Sequence, residues 1–308
     1  MPHSQAATVP QQPAPLRAAL IGSGIAASRT PAMHMAEGRA QGLDYRYDLI
    51  DIAARDGGEI GALLAEAEAA GCRGVNITHP FKRAAIAHLD SLSPTAAAVG
   101  AVNTVVFADG RRRGHNTDCW GFAQAFRRDL SGAPRAVVLL IGAGGAGGAV
   151  AEALLGEGVG RVLVHDADPG AARGLCARLA ARHGAGRVAA AGDLAEAAAG
   201  AEGIVNATPV GMAGHPGLPL PAALIAPHHW VADIVYFPLE TELLATARAR
   251  GCRVMNGAGM AVFQAVRAFE LFTGLRADPE RMRAAFDAAG SRQLAGRTGI
   301  PSAQREDQ

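Results

Sequence analysis

Two side chains able to move a proton stand at element junctions of this chain. Lys82 closes the run Asn76-Ile77-Thr78-His79-Pro80-Phe81-Lys82, where an apolar strand gives way to polar groups. Asp118 follows Gly114-His115-Asn116-Thr117 at the start of a helical segment that reaches Leu130. A lysine shielded from water and steadied by a carboxylate can take the proton of an alcohol and return it, work that typically contributes ~10²–10⁴-fold to a rate. Amides and hydroxyls crowd the same junctions, with Asn103 and Thr104 inside Gly100-Ala101-Val102-Asn103-Thr104. A strand-interior amide must be hydrogen-bonded to something. Taken singly, each has a plainer reading: Lys82 as a solvated lysine in a first helical turn, Asp118 as an ordinary N-cap. Taken together they suit a small polyhydroxylated ligand with an acid/base pair beside it.

A second chemistry lies in Ala136–Ile141, an apolar run of strand length that breaks into Gly142-Ala143-Gly144-Gly145-Ala146-Gly147 and resumes as a helix-forming stretch. This is G-x-G-x-x-G between strand and helix. The first glycine permits the tight turn, the second lets backbone approach a pyrophosphate, and the third allows close helix–strand packing. Phosphates are favoured at the helix N-terminus by unpaired N–H groups and the dipole. The next strand, Arg161–His165, ends on Asp166, an acid placed to accept from the hydroxyls of an adenosine ribose. Upstream, Gly22-Ser23-Gly24-Ile25-Ala26-Ala27 imitates the motif, but the helix starts later, near Pro31 with Thr30 as its expected N-cap. That polar loop reads as a substrate rim.

The elements that must position these groups alternate. Strands are expected at Ala18–Ile21, Tyr45–Ile52, Gly74–Thr78 and Ala101–Phe107, with helices near Pro31–Gln41, Ile60–Ala70 and Lys82–Leu89. A β-α-β-α-β run follows from Ala136, with strands near Gly203–Ala207 and Trp230–Val235 and a helix at Glu240–Arg250. The helix Ala261–Phe272 is expected to pack back on the first half. The expected fold is α/β in two domains with a cleft between them. Residues 17–122, completed by 257–290, form the substrate domain, 123–256 the dinucleotide domain, and 1–16 and 291–308 disordered tails.

Composition excludes several classes. With 29 basic and 28 acidic residues and a net charge of +1, no bulk field draws nucleic acid or an anionic membrane surface. Arg111-Arg112-Arg113 is taken to decorate a hairpin turn. The four cysteines lie far apart without C-x-x-C, and the adjoining His228 and His229 are taken as surface residues, so no metal is expected. No apolar run of ~18 residues occurs, and the Pro-, Gln- and Ala-rich N-terminus lacks a signal-peptide pattern, so a cytoplasmic protein, monomer or homo-oligomer, is expected.

Eight ordered motifs, from Ser28-Arg29-Thr30-Pro31 through Asn76–Lys82, Gly100–Thr104, Asn116-Thr117-Asp118, Gly142–Ala146, Asn206–Met212 and Asp233–Tyr236 to the Gln264 segment, resemble the shikimate dehydrogenase family. The resemblance spans about Leu20 to Gly274. It implies a Rossmann domain joined to a substrate domain, and reversible NAD(P)-linked oxidation of a ring hydroxyl in shikimate or a close relative. It makes Lys82 the general acid/base and Asp118 its partner. It assigns the substrate carboxylate to Ser28 and Thr30, and further substrate contacts to Thr78, Asn103, Asp118, Tyr236 and Gln264. The cofactor would run along Gly142, Ala143, Gly144, Gly145, Ala146 and Gly147, past Asp166, Thr208, Ile234 and Gly257.

Two departures point to a branch. Where NADP-using members generally carry Asn-Arg-Thr after the second Rossmann strand, this chain has Asp166-Ala167-Asp168, and Arg173 is expected to point to solvent. An aspartate repels a 2′-phosphate and bonds a free 2′-hydroxyl, so NAD is the expected cofactor and NADP the lesser one. The usual Ser-x-Ser-Pro is Ser28-Arg29-Thr30-Pro31 here, which, with His79, resembles the NAD-linked quinate/shikimate branch. Two alternatives stay open: an NADP-dependent shikimate dehydrogenase of aromatic amino-acid biosynthesis, and a non-catalytic sensor of a quinate-like ligand. Retention of both Lys82 and Asp118 counts against the sensor.

Overall fold

The computed structural model describes residues 15–55 and 57–298. The expected tails fall mostly outside the described residues, but Leu16 already opens the first strand. The first half comprises β1 (Leu16–Gly22), α1 (Thr30–Ala40), β2 (Tyr45–Asp51), α2 (Ile60–Ala69), β3 (Cys72–Ile77), β4 (Ser91–Leu92), α3 (Pro94–Val99), β5 (Thr104–Ala108) and β6 (Arg111–His115). Its sheet runs β2-β1-β3-β5-β6-β4. It is mixed: β1 pairs parallel with β2 and β3, whereas β5 is antiparallel to both β3 and β6.

The long helix α4 (Thr117–Asp129) leads into β7 (Val137–Ile141), α5 (Gly145–Gly156), β8 (Arg161–His165), α6 (Pro169–His183), β9 (Val188–Ala190), α7 (Leu194–Ala199), β10 (Gly203–Asn206), β11 (Trp230–Asp233), α8 (Glu242–Ala249) and β12 (Arg253–Met255). These strands form a second sheet in the order β12-β11-β10-β7-β8-β9, every pairing parallel. Counted from β7, that is the Rossmann order 3-2-1-4-5-6, with its switch point between β7 and β10, where ligands bind beyond the strand ends.

Each sheet is covered on both faces, as buried parallel strands require. Phe122 and Phe126 of α4 join Val150 and Leu154 of α5 against one face of the second sheet, and Leu243 and Leu244 cover the other. The first sheet is covered on one side by Leu63 and Leu64 of α2. On the other it meets Met33 of α1, Phe269 and Phe272 of α9 (Ala258–Thr273), and Met282 and Phe286 of α10 (Pro279–Thr298). The helix from 258 therefore packs back on the first half. It approaches α4 closely: a Cβ on Gly121 would come within 2.8 Å of the Met260 carbonyl oxygen, and one on Gly259 within 2.8 Å of Ala125 Cβ.

Several expectations change. The C-terminal helix runs to Thr298, past the expected boundary at 290. The arginine triplet lies on β6, the turn being Asp109-Gly110, and Arg112 bonds Glu68 at 2.9 Å. His229 is buried, accepting from the Ala226 N–H at 2.9 Å with its other ring nitrogen 3.0 Å from the Ala198 carbonyl, while His228 is exposed. Lys82 lies in a turn before a short 3₁₀ segment, Ala84–His88, and not in the first turn of the helix expected at Lys82–Leu89.

His34 sits at 0% exposure among the rings of Tyr45, Tyr47, Phe269 and Phe272, its Nδ1 3.0 Å from the Tyr45 hydroxyl. Burial pushes its pKa down to about 3, against 6.5 in an unfolded chain. Between those values the unfolded chain binds the extra proton, so this group's stabilisation is present above about pH 6.5 and is lost as pH falls toward 3. The drop in Tm between about pH 6.5 and 4 should therefore be smaller in His34→Gln than in the parent, whatever its absolute Tm. Parallel Tm profiles for the two proteins would contradict it.

Candidate active site

The loop after β1 and the loop after β3 meet at one end of the first sheet. A Cβ on Gly22 would run into the Thr78 side chain, and Ser23 N donates to the His79 carbonyl at 3.0 Å. Both oxygens of Asp51 accept from this loop, from Gly24 N at 2.8 Å and Ile25 N at 2.9 Å. Those donors are engaged within the protein, which suits a substrate rim better than a phosphate cradle. Thr30 is not the N-cap of α1. Arg29 occupies the cap position, and the Ser28 hydroxyl accepts from Thr30 N at 3.3 Å. Ser28 and Thr30, both half-buried, thus share one local turn.

The polar strand ends form a closed network. Tyr47 donates to Asn76 Oδ1 at 2.7 Å, and Asn76 Nδ2 donates to Thr104 Oγ1 at 2.9 Å. Asn103 lies just before β5 rather than within it. Its Oδ1 accepts from Thr117 N at 2.7 Å, and its Nδ2 donates to Thr117 Oγ1 at 2.9 Å. The sequence need for a partner is met by the start of α4, and Asn103 is itself buried. The N-cap of α4 is Asn116, which accepts from Cys119 N at 3.0 Å. Asp118 is therefore not a cap. It stands in the first turn, where a carboxylate is favoured by the helix dipole, and is free to point elsewhere.

It points at Lys82. Lys82 Nζ donates to Asp118 Oδ2 at 2.6 Å, with side-chain exposures of 21% and 9%. The Lys82 stem also defines the seam between the sheets: a Cβ on Gly145, the first residue of α5, would lie 3.8 Å from Lys82 Cβ and Cδ. Gln264, half-buried on α9, is brought near by the close α4–α9 packing, its Nε2 donating to the Ala261 carbonyl at 3.1 Å. Tyr236 follows β11 and is 39% exposed.

The glycine run has the shape its spacing implies. Gly142 has φ 109°, open to glycine but strained for other residues, and a Cβ there would come within 2.8 Å of Ala207. A Cβ on Gly147 would strike the Gly142 carbonyl oxygen, whereas one on Gly144 would meet nothing within 4 Å. The loop is thus tight on its protein side and open on the other, a cradle that fits a dinucleotide pyrophosphate. Asp166 Oδ2 accepts from Ala143 N at 2.7 Å and Oδ1 from Asp168 N at 2.9 Å, tying the glycine loop to the end of β8. Arg173 is exposed on α6.

Asn206 Oδ1 accepts from both Thr208 N (3.0 Å) and Thr208 Oγ1 (2.6 Å), fixing Thr208 beside Gly142. Its Nδ2 donates to Asp233 Oδ1 at 2.9 Å, and Asp233 also accepts from Val235 N and Thr241 Oγ1. Burial raises Asp233 to about 6 against these three donors. This clamp, which sequence reasoning misses although Asp233 lies in a quoted motif, holds the turn that carries Ile234 and Tyr236. Gly257 lets α9 start against the Ile234 carbonyl, which a Cβ would overlap. The residues expected on the cofactor side, Gly142–Gly147, Thr208, Ile234 and Gly257, therefore gather along the switch point, and the Lys82–Asp118 pair meets this end of the sheet at Gly145. Among the described residues no group of three or more His, Cys, Asp or Glu side chains could hold a metal, and no helix is long and apolar enough to cross a membrane.

Known proteins resemble this chain along most of its length. The shikimate dehydrogenase substrate binding domain matches residues 20–105, and the shikimate 5′-dehydrogenase C-terminal domain matches residues 257–285. The chain is 55% identical over 269 residues to a shikimate dehydrogenase (NADP(+)) of Streptomyces avermitilis, covering 86% of this chain and 92% of the relative. It is 49% identical over 274 residues to a quinate/shikimate dehydrogenase (NAD(+)) of Corynebacterium efficiens, covering 87% and 96%. The structure of quinate dehydrogenase from Corynebacterium glutamicum in complex with NAD superposes with a TM-score of 0.85 at 44% identity, covering 89% of this chain and 99% of that one. With more than half of the aligned residues shared with one relative along nearly the whole of both chains, this chain belongs to the shikimate dehydrogenase family.

Proposed function

We propose that the protein is a nicotinamide-dependent oxidoreductase that reversibly oxidises the ring 3-hydroxyl of shikimate or quinate, with NAD preferred. The observation that carries the reading is the Lys82–Asp118 pair, 2.6 Å apart, with the lysine stem lying against the first residue of the dinucleotide helix. In this reading Lys82 is the proton donor and acceptor at the seam where an alcohol would meet the cofactor.

In this reading Ser28 and Thr30 hold the substrate carboxylate, and Thr78, Asn103, Asp118, Tyr236 and Gln264 contact its ring hydroxyls. Asn103 acts mainly by fixing the start of α4, and hence Asp118, since most of its amide is spent on Thr117. Lys82 takes the hydroxyl proton during oxidation and returns it during reduction, while Asp118 orients the amine. The nicotinamide supplies the hydride acceptor when bound. Gly142 to Gly147 would hold the pyrophosphate, with Thr208, Ile234 and Gly257 along the nicotinamide side.

NAD is favoured because Asp166 and Asp168 present two carboxylates where an adenosine 2′-phosphate would stand. Asp166 already accepts two backbone N–H groups, but a carboxylate has about four lone-pair sites, leaving acceptors for ribose hydroxyls. A quinate/shikimate dehydrogenase (NAD(+)) at 49% identity and the NAD complex of a quinate dehydrogenase at 44% are consistent with this preference, which rests on Asp166 rather than on the relatives.

Removing one hydroxyl from the carboxylate end tests the substrate assignment. Hydrogen bonds to charged groups are worth ~1.5–3 kcal/mol, so Ser28→Ala should raise KM for shikimate or quinate by roughly tenfold, with NAD affinity by fluorescence nearly unchanged. An unaltered KM would remove this loop from the substrate site.

A further inference from the structure

Arg29 separates the two hydroxyl residues Ser28 and Thr30, yet only 5% of it is exposed. Its guanidinium carbon lies 4.6 Å from the centre of the Phe286 ring on α10 and 5.5 Å from that of Phe237, the residue after Tyr236. Helix α10 leaves space for it: a Cβ on Gly290 would come within 2.6 Å of both Arg29 Cζ and Nη1. Burial pulls the guanidinium below its ordinary pKa, and the Asp287 carboxylate acts against that shift. One cation therefore joins three segments: the loop after β1, the last helix, and the segment beyond β11 of the other sheet.

We propose that Arg29 is a positioning residue that fixes the Ser28–Thr30 hydroxyl pair and so sets affinity for the carboxylate end of the substrate. This rests on the reading above that Ser28 and Thr30 hold that carboxylate. A planar guanidinium suits the role because it stacks on aromatic faces in a fixed orientation, whereas an ammonium keeps the charge without the plate. Gly290 is the complementary half of the device. Alanine is ordinarily favoured over glycine inside a helix, so a penalty for Gly290→Ala must come from the guanidinium it displaces.

The test is a double-mutant cycle on the full chain, with shikimate and quinate as probes, reading Kd by calorimetry and KM and kcat by steady-state rates. Arg29→Met and Gly290→Ala should each raise Kd and KM about fivefold, with the loss falling on KM more than on kcat and NAD affinity unchanged. Arg29→Lys should recover less than half of the loss. The double variant should be no worse than Arg29→Met alone. Parental Kd values in folded Arg29→Met and Gly290→Ala, or effects that multiply in the double variant, would overturn the proposal. If Gly290→Ala does not fold, the Arg29→Met and Arg29→Lys pair decides on the same readouts. Failure of the underlying reading would show separately, as an unmodified protein that neither binds nor turns over either acid.

Discussion

Replacing Lys82 with alanine is expected to lower kcat by a hundredfold or more, with a smaller change in KM. Position gives the reason. Lys82 Nζ lies 2.6 Å from Asp118, and its stem rests against the helix that begins the dinucleotide cradle. In the proposed reading it is the base for the alcohol proton, and its contribution grows as that proton is transferred, so its loss falls on the transition state more than on binding. Asp118→Asn should also lower kcat, since the neutral amide can accept from the ammonium but carries no charge to hold it. Both variants should fold: the Lys82 side chain keeps access to solvent on one side, and the α4 cap is supplied by Asn116, which neither substitution touches. Near-parental kcat in folded Lys82→Ala would assign the proton transfer elsewhere.

Legibility in the sequence differs from residue to residue. The glycine run is readable directly, because its spacing encodes the backbone geometry: positive φ at Gly142, contact between Gly147 and the Gly142 carbonyl, and open space at Gly144. The pairing of Lys82 with Asp118, 36 residues apart, has no local signature. Each residue alone is sufficiently explained as a solvated lysine or a helix cap; the polar residues taken together suggest an acid/base pair, and the resemblance to a family assigns the two partners. The cap reading of Asp118 fails because two neighbouring residues, Asn116 and Asp118, can both cap, and the chain uses the earlier one.

Misses on the fold have their own causes. β9 has three residues, too few to display a period. α10 escapes detection because its buried Met282 and Phe286 stand among arginines and alanines without a continuous apolar stripe. His229 misleads because adjacent loop histidines give no hint that one is held inside by the Ala226 N–H. The Asp233 clamp shows the same limit: its hydrogen-bond partners Asn206 and Thr241 come together only through the sheet.

Cofactor choice carries the second large effect. Asp166 is pinned by the N–H groups of Ala143 and Asp168, so in the proposed reading its carboxylate could not swing away from a 2′-phosphate without breaking both bonds. Catalytic efficiency with NAD should exceed that with NADP by at least tenfold, about 1.4 kcal/mol of transition-state binding. Asp166→Ser should narrow the gap by removing the like charge, although it also loosens the glycine loop and so lowers efficiency with NAD.

One set of initial rates decides most: the purified protein with shikimate and with quinate, each with NAD and with NADP, followed by reduced nicotinamide absorbance. Turnover of at least one of the two acids is expected, with NAD ahead of NADP by tenfold or more for each acid that is turned over. No turnover of either acid with either cofactor would contradict the assignment of a dehydrogenase site to Lys82 and Asp118, and equal rates with both cofactors would contradict the role given to Asp166.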